Sequence, residues 1–140
     1  LEEEPQYEDL LNDTENDIKD TNWILGAGEW IYNVESYQTG EPSEVYIQAL
    51  ENTTGIYFKR KDLDELVHKS HEWSLNQNKI YRHHFIRQEK RNKLHRTKNG
   101  QHRLSLFNKQ HPELQGRVKL KYIASYLNMT QSQLSRLRAR

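Results

Sequence analysis

The chain has 140 residues, 34% of them hydrophobic, and a mean hydropathy of −1.10, enough material for one domain or two small ones with a lean core. It holds no cysteine, which excludes disulfides, thiolate metal sites and cysteine-ligated iron–sulfur or haem chemistry. The net charge of +1 conceals a division: residues 1–65 carry 17 acidic and 4 basic side chains, residues 66–140 carry 3 acidic and 17 basic, and all 7 histidines lie in the second part.

A half this basic attracts polyanions, nucleic acid above all, while the acidic half repels them. The split marks two modules with separate tasks. No apolar run reaches membrane-spanning length, and the start LEEEPQYEDL is acidic, unlike a secretory leader. A cytoplasmic protein with no membrane contact is expected.

In chain order, residues 1–6 form an acidic lead-in expected to be poorly ordered. Residues 7–11 and 18–25 read as two strands of a hairpin around the turn-forming stretch NDTEND. Gly26, Gly28 and Gly40 punctuate the next stretch, with Trp30, Ile31, Tyr32 and Val34 as a strand or short turn between them. Gly40-Glu41-Pro42-Ser43 marks a loop. Residues 45–50 alternate in polarity, and residues 56–58 form a further short strand after a turn at 52–55. Closely spaced short strands suggest part of a β-sandwich or barrel, with Trp23, Trp30, Tyr32 and Tyr37 in its core or lining an apolar effector pocket.

The period then changes. Asp62 is a candidate N-cap with Glu65 as its capping-box partner, and Leu63, Leu66 and Val67 mark the apolar side of a short helix. From Glu72 to Leu94 no Pro or Gly interrupts the chain, so one long helix is expected, with Trp73, Ile80 and Leu94 at multiples of seven. Polar residues such as Gln77, His84, Arg87 and Arg91 fall on or near that face, so packing within its own domain competes with a two-helix seam. TKNG breaks this helix, a short one covers residues 101–108, and His111-Pro112 ends it.

The last stretch, LKYIASYLNMTQSQLSRLRAR, is the most specific. Ile123, Leu127, Met129, Leu134 and Leu137 are apolar, Ala124 is small where two helices would cross, Asn128 suits a left-handed turn, and Thr130 is a natural N-cap. These spacings predict a helix-turn-helix whose second helix enters the DNA major groove. Thr130, Gln131, Ser132, Gln133, Ser135 and Arg136 begin that helix or lie on its outer side. Gln suits adenine edges, Arg guanine and Ser either, whereas Lys121 and the flanking Lys119, Arg138 and Arg140 suit phosphates. An ordinary helical hairpin with a basic face for an acidic protein partner is the competing reading.

Other chemistry is poorly supported. His68/His71 and His83/His84 lack the convergent carboxylates or thiols of a zinc site, and no nucleophile triad, Walker loop or GxSxG motif occurs. Gly26-Ala27-Gly28 lacks the third glycine and the succeeding helix of a dinucleotide site. No catalytic residue, metal or cofactor is expected.

The order of elements resembles that of the Crp/Fnr family of transcription regulators, in a divergent branch. Three segments carry the likeness: Gly28-Glu29-Trp30 through ESYQTGEPSEVYIQALE, KRKDLDEL with the long helix, and IASYLNMT…LSRLR. The resemblance implies an α+β protein: a partial jelly-roll, cyclic-nucleotide-binding-like β-barrel over residues 1–61, a hinge and dimerisation helix over 62–96, and a winged-type helix-turn-helix over 97–140. Against the family pattern the chain is incomplete at both ends, lacking the early strands and the wing. The resemblance also implies a homodimer on double-stranded DNA and a pocket for an unidentified small-molecule effector around Gly28, Glu29, Ser43 and Glu44. In the loop Glu41-Pro42-Ser43-Glu44 the phosphate-binding Arg of the family is missing and Glu44 adds negative charge, so no response to cyclic nucleotides is expected.

Overall fold

Cap and turn chemistry sets where the helices begin and end in residues 20–139, the part of the chain that the computed structural model describes. The chain divides into two units, one of residues 25–96 and one joining residues 97–139 to the short segment 20–24.

In the first unit, Asn33 opens helix α1 (Val34–Thr39) by accepting the Ser36 N–H on Oδ1 at 2.9 Å. Gly40 closes it at φ +82°, a conformation in which its N–H reaches Ser36 O. Residues 41–58 form neither helix nor strand and are exposed. Helix α2 (Arg60–Lys69) comes next, and Ser70 separates it from α3 (His71–Arg96). Ser70 serves both: its N–H bonds back to Leu66 O, and its Oγ accepts from Trp73 N–H at 3.4 Å. α2 packs on α3. Aromatic contacts tie the preceding chain to α3, with Phe58 5.9 Å from Trp30 and 6.0 Å from Trp73, and Tyr32 5.6 Å from His84. Among the described residues of this unit only Leu94 is a buried hydrophobic, which is what a lean composition predicts.

The second unit is better packed. Asn99 caps α4 (Gly100–Gln110), accepting the His102 N–H at 3.1 Å. Gly100 has a packing reason: a Cβ there would lie 3.3 Å from Leu137 Cδ1. A 3₁₀ turn at Pro112–Leu114 leads to α5 (Leu120–Tyr126) and α6 (Gln131–Arg138). Leu104, Phe107, Leu114, Tyr122, Ile123, Ala124, Tyr126, Leu127 and Leu134 form the core, with Ile24 buried as well. The Phe107 ring lies 5.6 Å from that of Tyr126.

Several expectations are overturned. The α+β class is wrong for the described residues, which are helical and contain no strand, so there is no partial jelly roll or cyclic-nucleotide-binding-like barrel. The strand of residues 7–11, the turn at 12–17 and the lead-in at 1–6 lie outside the described residues, as do the first two residues of 18–25; its remainder is not a strand. Val34 begins a helix, not a strand. Residues 45–50 and 56–58 have the composition of strands, yet Ile47, Ile56 and Tyr57 are 67%, 87% and 84% exposed. A strand is defined by its hydrogen-bonded partner, and no described segment pairs with them. Without a barrel, Trp23, Trp30, Tyr32 and Tyr37 are not barrel core: Trp30 is exposed and the others half-buried. Asp62 is not an N-cap, because α2 starts two residues earlier and places it in the first turn, where its charge still complements the helix dipole.

Candidate nucleic-acid interface

The turn between α5 and α6 is built from the backbone outward. α5 ends at Tyr126, and Asn128 lies two residues on at φ +54°, the one described non-glycine residue with positive φ. This bend lets Met129 N–H reach Ala124 O at 3.0 Å and Asn128 N–H reach Ser125 O at 2.9 Å. These are the two crossed bonds of a Schellman motif, with Asn in the place glycine usually takes. The chain leaves at a sharp angle, and Thr130 starts the next helix at once.

Thr130 and Gln133 form a reciprocal capping box. Gln133 N–H donates to Thr130 Oγ1 at 3.2 Å, and Thr130 N–H donates to Gln133 Oε1 at 2.9 Å. Leu134 is fully buried and pins α6 to the core. The rest of the helix turns outward: Gln131, Ser132, Gln133, Ser135 and Arg136 are all exposed, as is Thr130. Arg136 lies along the helix, its Nε donating to Ser132 O at 3.3 Å. Ser132 Oγ is 3.1 Å from Thr130 Oγ1. Lys121 is half-buried on α5 with its ammonium 5.1 Å from the Tyr122 ring centre. Lys119 and Arg138 are exposed at the flanks, and Arg140 lies outside the described residues. Residues 97–140 carry nine basic and one acidic side chain, so this stretch of the chain is strongly basic.

Two features of the site escape a reading of the sequence. Gln133 is tied up by its cap, so its carbonyl oxygen is not available for a bidentate contact to adenine; the Thr130-x-x-Gln133 spacing carries that signal. The second is the segment 20–24. Thr21 N–H donates to Ser125 Oγ on α5 at 2.8 Å, and Asp20 borders an open depression of about 420 Å3 shared with Lys121, Ser125, Asn128, Thr130 and Gln131. Nothing local in residues 20–24 announces a partner 104 positions away.

The expected effector residues do not form a pocket. Glu29 pairs with Arg87 and lies 3.5 Å from His83 Nε2, both on α3. Ser43 Oγ turns back to Val45 O at 2.7 Å, and both Ser43 and Glu44 are exposed. Gly28 is exposed in a turn at φ +80°. None of the four borders the depression at the helix-turn-helix. Among the described residues no group of three or more His, Asp or Glu side chains could hold a metal ion. No described helix is long and apolar enough to cross a membrane.

Compared with protein-family models, with curated proteins and with solved structures, the chain matches none.

Proposed function

We propose that the chain is a sequence-specific double-stranded-DNA-binding regulator, with α6 as the helix that reads base edges. The observation that carries this reading is the division of α6 into two faces. Leu134 is fully buried, while Gln131, Ser132, Ser135 and Arg136 are exposed on a helix held rigidly by a Schellman turn and a capping box. A stiff polar helix in a basic stretch of chain fits the major groove, where Arg recognises guanine and Gln adenine. Lys119, Lys121 and Arg138 supply phosphate contacts that fix its register. The likeness of IASYLNMT…LSRLR to Crp/Fnr regulators supports the same reading.

A dimer is part of this proposal. α3 is 26 residues long, about 39 Å, and leaves Leu75, Phe85 and Ile86 exposed. A second copy covering these side chains would give the assembly two α6 helices, one for each half-site.

Selection of bound fragments from random duplex DNA tests both parts. A consensus with two-fold symmetry is expected. A consensus without symmetry removes the dimer. No saturable retention at moderate salt removes DNA binding and leaves a basic face for an acidic protein.

A further inference from the structure

The segment 20–24 has no task in the DNA-binding reading, yet it is fastened to the candidate interface. We propose that the acidic stretch leading into Asp20 docks on the mouth of the helix-turn-helix and competes with DNA for it. The proposal rests on the DNA-binding reading and adds a built-in competitor to it.

Position is the first argument. The Thr21–Ser125 hydrogen bond of 2.8 Å and the burial of Ile24, 6% exposed, pin this segment within the helix-turn-helix unit. The chain reaches that pin through Asp20, which borders the depression formed by Lys121, Asn128, Thr130 and Gln131. Lys121 and Gln131 are among the residues that the DNA-binding reading assigns to the duplex, and Thr130 is the cap that starts its reading helix.

Charge is the second. Residues 1–20 contain nine acidic side chains and a single basic one, Lys19. Residues 97–140 have the opposite balance, nine basic to one acidic. The ligand class is therefore a polyanion, and here it is covalently attached. Reach is the third argument. Nineteen residues preceding Asp20 span up to about 65 Å when extended, whereas α6, with its 8 residues, is about 12 Å long. A tethered polyanion acts at an effective concentration in the millimolar range, so DNA has to displace it.

The test compares three versions of the 140-residue chain by titration against a random-sequence duplex. In one variant the eight acidic residues of positions 1–19 are changed to their amides. In the other, Thr21→Pro removes the N–H donor to Ser125 and leaves every charge in place. Docking predicts binding about tenfold tighter for the amide variant and several-fold tighter for Thr21→Pro. A gain in the amide variant alone means general repulsion of DNA by the acids and overturns docking. Equal binding by all three also overturns it, with DNA binding intact. If none of the three binds the duplex, the DNA-binding reading fails and this proposal with it.

Discussion

Gln133 accepts the backbone N–H of Thr130 on its side-chain oxygen at 2.9 Å, while its own backbone N–H donates to the Thr130 hydroxyl at 3.2 Å. The residue whose type suits adenine recognition is thus part of the frame. Gln133→Ala is expected to lower stability by up to about 1 kcal/mol, the scale of a cap bond, and to leave base preference unchanged. Thr130→Ala should cost about 0.5–2 kcal/mol. Chemical denaturation gives the stabilities and fragment selection gives the preference. A changed consensus in Gln133→Ala would return this residue to base reading.

Arg136 has the opposite character. Its backbone-directed bond uses Nε alone, at 3.3 Å from Ser132 O, which leaves the terminal nitrogens of the fork for a base. Arg136→Ala should weaken binding to the best site by about 1–3 kcal/mol, with a much smaller loss on random duplex and an altered consensus at one position per half-site. Lys119→Ala should weaken both duplexes alike and flatten the salt dependence by about one counterion. Anisotropy titrations over a salt series separate these outcomes.

The turn carries a conformational prediction. Asn128 sits at φ +54°, where a side chain costs about 1–2 kcal/mol unless it is Gly or a residue such as Asn. Asn128→Gly should leave the melting temperature nearly unchanged, whereas Asn128→Val should lower it, with a loss of stability of about 1 kcal/mol or more. Leu134→Ala, in a fully buried site, should cost about 2–5 kcal/mol and abolish DNA binding through loss of the helix frame.

The C-terminal forty residues are legible in the sequence because their determinants are local. A left-handed residue at Asn128, a hydroxyl at Thr130 and apolar residues at Ile123, Leu127 and Leu134 each act within a turn or two of helix. Helix boundaries at TKNG and before Pro112 are readable for the same reason. The segments 45–50 and 56–58 mislead because alternation states only that a strand could be stabilised by a sheet, and the sheet has to come from elsewhere. The Thr21–Ser125 bond joins residues far apart in sequence, and no periodicity reports such a contact. Glu29 is given to an effector on the strength of resemblance, whereas α3 offers it Arg87, a nearer positive charge.

α3 also makes the first unit sensitive to acid. His84 lies against the Tyr32 ring at 5.6 Å, and burial, then the positive charges of Arg87 and His83, holds its pKa below the ordinary 6.5. When the chain unfolds, the imidazole regains that ordinary value and binds a proton more readily than the folded protein does. Stability from this group is therefore full above about pH 6.5 and is lost as the pH falls toward the depressed folded value. Thermal unfolding at about pH 8 and about pH 5.5 should show a lower melting temperature in acid for the unmodified chain. The difference should shrink in His84→Gln, which keeps a polar side chain of similar size without a titrating ring. An unchanged acid sensitivity in that variant would assign the effect to another group.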